Sequence, residues 1–179
     1  YTADQGYFLG EHGMFDKRIM YEEALRMPFV VRYPTEIAAG EKLEDMVLNC
    51  DFAPLFLDFA GLEKPESMIG KSFRSNLSGQ TPPDWRTDMY YRYWLHLVRR
   101  PAHYGIRTQR YKLIHFYGKP LDMPGAENQS TEPTWEFYDL EKDPKELHNA
   151  YGDPEYTSII EELKTRLGEL QREVGDAPA

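Results

Sequence analysis

The chain is 179 residues long, 41% hydrophobic and 14% aromatic, with a formal net charge of −9. Such a length holds one domain, or a modest domain plus a further fragment, and is enough to bury a real core. The acidic balance and the lack of a basic stripe exclude a general nucleic-acid or anionic-membrane binder, though not a local basic pocket for a small anion. No run of about 18 apolar residues predicts a membrane span. The single cysteine, Cys50, excludes an intramolecular disulfide and a cysteine-rich metal site.

Tyr1 and Thr2 read as a strand end that runs into a glycine-punctuated loop over residues 4–18. Met20 to Leu25 predicts a short helix stopped by Pro28, and Phe29 to Tyr33, between Pro28 and Pro34, predicts a buried strand. Asn49 or Asp51 is suited to cap a helix whose apolar face is Phe52, Leu55, Phe56 and Phe59, with Gly61 as its stop. Pro65 to Pro83 is a long polar connection, and it places a subdomain boundary near residue 75: residues 1–75 as a slice of a layered α/β domain, residues 76–179 as a C-terminal subdomain.

The second half predicts strands over Met89–Val98, Ala102–Thr108, Tyr111–Tyr117 and Trp135–Leu140. Gln109-Arg110 gives a tight hairpin without the usual Asn-Gly pair. Lys119 to Pro133 reads as a surface loop. The last helix is capped by Asp153, starts at Pro154, and buries Tyr156, Ile159, Ile160, Leu163, Leu167, Leu170 and Val174 before Gly175. The order therefore predicts an α/β slice followed by an antiparallel meander with one helix laid across it.

Chemistry concentrates at the start of the chain. Asp4 and Gln5 place a carboxylate and an amide oxygen side by side, hard ligands for Ca²⁺ or Mg²⁺, although an Asp-x-Gly run also makes an ordinary turn. Lys17, at the end of the glycine-rich loop, is either a point charge for a bound oxyanion or a solvated lysine beside Arg18. His12 fits a proton donor, a substrate hydrogen-bonder or a residue that locks the loop.

The run Asp4-Gln5-Gly6-Tyr7-Phe8-Leu9-Gly10-Glu11-His12-Gly13, then Lys17, Tyr21-Glu22-Glu23 and Arg26-Met27-Pro28-Phe29-Val30-Val31-Arg32-Tyr33-Pro34, resembles the type I, formylglycine-dependent sulfatase family of the alkaline-phosphatase-like superfamily. The resemblance continues through Asn49-Cys50-Asp51-Phe52-Ala53-Pro54, His103-Tyr104-Gly105-Ile106-Arg107-Thr108, Tyr111-Lys112-Leu113-Ile114 and Glu136-Phe137-Tyr138-Asp139-Leu140. It implies the C-terminal part of a layered α/β domain followed by a small antiparallel sheet packed with a C-terminal helix. It implies Asp4 and Gln5 as ligands of one Ca²⁺, Lys17 as the catalytic lysine that binds sulfate, and His12 and His103 as substrate contacts. For His103 a plain surface or hairpin residue is the alternative, and Arg99, Arg100 and Arg107 are candidates to add positive potential for a sulfated sugar.

The resemblance also sets limits. The formylglycine is made within a Cys/Ser-x-Pro/Ala-x-Arg run that this sequence lacks, and Cys50, followed by Asp51-Phe52-Ala53-Pro54, matches a structural helix start. The nucleophile and the other metal ligands are therefore expected upstream, so that the chain reads as the back part of a larger enzyme, inactive by itself and with an apolar face left for the missing N-terminal portion. The implied partner is a sulfated small molecule or glycan, with no nucleic acid and no membrane span, and the resemblance favours a periplasmic or extracellular location. Two alternatives remain at this level: a phosphonate monoesterase or phosphodiesterase of the same superfamily, and a non-catalytic carbohydrate-binding or interaction module.

Overall fold

The computed structural model describes residues 1–176. In chain order its elements are helix α1 (Glu22–Leu25), helix α2 (Phe52–Phe59), helix α3 (Arg74–Leu77), strand β1 (Asp88–Tyr93), strand β2 (His103–Thr108), strand β3 (Tyr111–Phe116), strand β4 (Thr134–Asp139) and helix α4 (Thr157–Glu173). They divide into two units, one of Tyr1–Asp4 with Pro28–Thr87, the other of Gln5–Met27 with Asp88–Ala179.

The larger unit is built on an antiparallel meander in the order β1-β2-β3-β4. Its alternating side chains divide between two faces. One face carries Tyr104, Ile106, Leu113 and Phe137, which form a core with Ile160, Leu163, Leu167 and Leu170 of α4. Burying each of those four helix side chains contributes about 1.5–3 kcal/mol, so α4 is held by its apolar stripe more than by its propensity. Asp153 starts the helical segment by accepting from the Glu155 N–H at 2.9 Å, with Pro154 at the first position of a 3₁₀ turn. Val174 lies just past α4 and is 48% exposed.

The β2–β3 hairpin closes without Asn-Gly because Thr108 substitutes for it. Its Oγ1 accepts from the Tyr111 N–H at 2.9 Å and the Arg110 N–H at 3.3 Å. β1 stops at Tyr93, short of the expected Val98, because the chain folds back in a turn closed by paired backbone bonds between Leu97 and Arg100.

The other face of the sheet carries the 5–27 segment. Phe8, Ile19, Met20 and Ala24 pack on Ile114, Phe116 and Tyr138. Two glycines make that seat possible. A Cβ at Gly105 would lie 2.4 Å from the Leu113 carbonyl and 2.8 Å from the Met20 sulfur, so only glycine lets Met20 lie on the strand. A Cβ at Gly6 would lie 2.0 Å from the Glu23 carbonyl, where the Gly6 N–H already binds the Ala24 carbonyl at 2.8 Å. Buried charge fastens α1 to the sheet. Lys112, fully buried, pairs with Glu22 at 2.9 Å and Glu146 at 2.6 Å, and Arg107 pairs with Glu22 at 3.1 Å.

The smaller unit packs Leu55, Phe73, Leu77 and Trp85 together, with Phe29, Val31 and Phe52 at the margin. Residues 29–33 do not form the expected strand. Only an isolated bridge pairs Phe29 with Thr2, since no further strand of the unit lies alongside to complete a ladder. Asp51 stands at the start of α2 but does not cap it. Its buried carboxylate instead accepts from the Leu48 and Lys71 N–H groups, each at 2.8 Å, and forms a two-point pair with Arg86. Helix α3 lies within the stretch expected to be a polar connection. Val30, Phe56, Leu62 and Ile69 are 61–77% exposed.

Candidate active site

Gln5, Asp16, Lys17 and His103 all belong to the larger unit. Its sheet face under the 5–27 segment holds His103 among Tyr91 and Tyr93, and Asp16 of that segment pairs with Arg100. Tyr91 and Tyr93 sit two apart on β1 and so share that face. The register puts Tyr93 opposite His103, and His103 opposite Phe116. The imidazole is enclosed by three rings: Phe116 at 5.0 Å, Tyr93 at 5.6 Å and Tyr91 at 5.8 Å between centroids.

His103 is fully buried. Nδ1 lies 2.8 Å from the Pro101 carbonyl, which can only accept, so Nδ1 carries the proton and Nε2 presents a lone pair. Nε2 has no hydrogen-bond partner among the described residues. Burial, helped by the Arg100 charge and opposed by the Pro101 hydrogen bond, pushes the His103 pKa down to about 4. The ring is therefore neutral at ordinary pH, with Nδ1 donating to Pro101 and Nε2 able only to accept. Burial raises the Tyr91 phenol pKa, and the Gln5 side chain opposes that shift.

Asp16 and Arg100 complete the cluster. The Asp16 carboxylate accepts from the Lys17 N–H at 2.6 Å and pairs with the Arg100 guanidinium, which lies 5.7 Å over the Tyr93 ring. His12 is placed elsewhere. Its ring packs on Tyr21 at 4.5 Å and meets Phe8 edge-on, with Nε2 3.6 Å from Glu23. Its backbone adopts the left-handed conformation, φ 52°, uncommon outside glycine.

Asp4 belongs to the smaller unit. It is exposed and lines an open depression with Thr2, Ala3, Asn49, Cys50 and Phe52, and its carbonyl accepts from Asn49 Nδ2 at 3.3 Å. Partial burial and the adjacent Asp51 raise the Cys50 thiol pKa, the opposite of what activates a nucleophile. Among the described residues no three His, Cys, Asp or Glu side chains gather as a metal-holding group. No helix among them is long and apolar enough to cross a membrane.

Sequence reasoning named Gln5, Lys17, Arg100 and His103 but missed Asp16, Tyr91 and Tyr93. Alternation along β1 was the available signal for the tyrosines, and it becomes specific only once the β1–β2 register is known. Asp16 carried no signal beyond standing next to Lys17.

Residues 10–173 match the family described as N-sulphoglucosamine sulphohydrolase, C-terminal, and the chain belongs to that family. It is 48% identical to an N-acetylglucosamine-6-O-sulfatase of Bacteroides thetaiotaomicron over 98% of its own length and 30% of that protein's. A solved structure described as a complex with its substrate D-glucosamine-2-N,6-O-disulfate superposes with a TM-score of 0.84 at 46% identity, over 96% of this chain and 33% of that one. A phosphonate monoester hydrolase of Agrobacterium radiobacter shares the fold, with a TM-score of 0.78 at 24% identity over 96% of this chain and 34% of its own. The chain thus spans about a third of the length of these relatives.

Proposed function

We propose that the protein carrying this segment is a sulfatase that hydrolyses the sulfate ester of an amino sugar, with 6-O-sulfated N-acetylglucosamine as the first substrate to test. The observation that carries this reading is the 48% identity to an N-acetylglucosamine-6-O-sulfatase along 98% of the chain. The anchored Lys17 loop agrees with it. The Lys17 ammonium meets the sulfuryl oxygens as a compact point charge, and charge set in place beforehand acts most strongly where it develops in the transition state.

Asp4 and Gln5 enter as two hard oxygen donors to a divalent cation. They fit Ca²⁺ in kind, an exposed carboxylate beside an amide, and they supply two of its about six to eight oxygens. When bound, that ion withdraws charge from the sulfuryl oxygens as a Lewis acid. A formylglycine does not fit any residue of this chain, since Cys50 lacks the required sequence context and its thiol is raised, so no step is assigned to Cys50.

His103 offers Nε2 to a donor, such as a sugar hydroxyl or an amine N–H, once the tyrosine rings over it move aside; a sulfate oxygen, being an acceptor, is refused there. His12 serves best as the lock of the loop through Tyr21 and Glu23. The test is sulfate release by the complete protein from N-acetylglucosamine 6-sulfate, followed by ion chromatography. Release is expected, with loss on chelation and recovery with Ca²⁺. A folded, metal-loaded protein that releases none from any 6-O-sulfated glucosamine overturns the reading.

A further inference from the structure

We infer that Arg100 is a positioning residue for Lys17 and acts through Asp16. This rests on the proposal that Lys17 holds the sulfuryl group.

Asp16 is the point at which the loop is pinned. Its carbonyl accepts from the Phe8 N–H at 2.8 Å, which joins the two limbs of the loop. One carboxylate oxygen accepts from the Lys17 N–H at 2.6 Å and from Arg18 at 3.2 Å. The other pairs with Arg100 and also accepts from Arg18 at 3.4 Å. Arg18 is a weak competitor for this carboxylate, since its side chain is 48% exposed, against 17% for both Arg100 and Asp16. Any rotation of the Asp16 carboxylate is passed on to the backbone of Lys17, because one side chain holds both.

Arg100 is itself set on a fixed base. It closes the turn after β1 through mutual backbone bonds with Leu97 at 2.9 and 3.1 Å. His96, fully buried, braces that turn: Nδ1 accepts from the Ala102 N–H at 3.2 Å, so Nε2 carries the proton and donates to the Gln129 carbonyl at 2.9 Å. Glu127 adds a second brace, its N–H donating to the His96 carbonyl at 2.9 Å and its carboxylate accepting from the Val98 N–H at 2.6 Å. The turn, its bracing loop and the Arg100–Asp16 pair thus form a continuous path that ends on the peptide N–H of Lys17. A reacting group displaced by about 1 Å loses about 100-fold in rate, so such a path has a kinetic consequence.

The test is a double-mutant cycle in the complete protein, with kcat and KM read separately. Arg100→Met is expected to lower kcat by about tenfold or more with KM changed by less than about threefold, and Arg100→Lys to restore part of that loss. In a Lys17→Ala background the same substitution is expected to cost less than about twofold, because the group it positions is gone. If Arg100→Met does not fold, Asp16→Asn takes its place: the amide oxygen still accepts from the Lys17 N–H while the charge facing Arg100 is lost. An equal loss in both backgrounds, or a near-normal kcat in the single variant, overturns the role of Arg100 while the proposed function stands. Near-normal turnover of Lys17→Ala removes Lys17 from the site and this inference with it, whereas a folded, metal-loaded parent that releases no sulfate overturns the proposed function.

Discussion

Replacing Lys17 with alanine in the complete protein is expected to lower kcat for a 6-O-sulfated glucosamine by roughly 100-fold or more, the loss seen when one fixed donor to a developing oxyanion is removed. The loss falls mainly on kcat because negative charge on the sulfuryl oxygens is rearranged at the transition state, and a group binding substrate and transition state alike would move KM instead. Lys17→Arg is expected to recover little. The guanidinium is a planar fork rather than a compact charge, and the backbone of Lys17 is fixed by Asp16 at 2.6 Å, leaving the longer side chain little freedom to retreat. Steady-state kinetics of the purified variants decides the matter, and near-normal turnover of Lys17→Ala removes this residue from the site.

Replacing Lys112 with methionine is expected to destabilise the fold by about 3–5 kcal/mol, since it leaves buried carboxylates without their shared cation. Lys112 is fully buried between Glu22 and Glu146, and the Glu146 carboxylate also accepts from the Glu22 N–H at 2.6 Å. One ammonium therefore holds α1 to β3 and to the loop after β4. Burial alone would raise the Glu22 pKa, but Lys112 and Arg107 together pull it down to about 2. The folded pKa is below the unfolded one, so the Glu22 contribution is fully present above the ordinary glutamate range and is lost as pH falls toward about 2. Glu146 is raised, chiefly by burial, and has the opposite sign: it binds its proton more readily in the folded state. Both effects make the Lys112→Met penalty largest near neutral pH. Denaturant midpoints at about pH 7 and about pH 3 are expected to show a smaller difference between variant and parent at the lower value, and an equal difference at both would contradict the ionic account.

The sheet and α4 are legible in the sequence because their periodicities are uninterrupted and each face has one role. The last helix reads from Ile160, Leu163, Leu167 and Leu170 alone. The β2–β3 hairpin is legible despite its atypical turn, since the flanking alternation outweighs the missing Asn-Gly pair. Residues 29–33 mislead because a β-rich composition specifies a strand only when a partner lies beside it, and here the pairing ends at Thr2. Helix α3 is a single turn, too short to show a period. Its buried Asn76, held by Asp45 at 3.1 Å, reads as polar loop until its partner is seen.

The candidate site divides in the same way. Lys17, His103 and Arg100 stand out by residue type, but what joins them does not. Asp16 is a loop carboxylate until Arg100, 84 residues away in sequence, reaches it. His103 looks like a cleft residue from its motif, whereas the register packs it among Tyr91, Tyr93 and Phe116 and leaves only Nε2 open to a donor. Asp4 and Gln5, adjacent in sequence, belong to different units, a division that no local pattern announces.

The most direct measurement of the proposed chemistry is the ratio of kcat/KM for an aryl sulfate to that for an aryl phosphonate monoester, taken on one preparation of the complete, metal-loaded protein. Both substrates present a tetrahedral anion to the same lysine and cation, so the ratio isolates the choice of transferred group. The account predicts a sulfate preference of about 1000-fold or more, equivalent to about 4 kcal/mol at the transition state. A preference for the phosphonate, or turnover of neither by a folded protein, would contradict it.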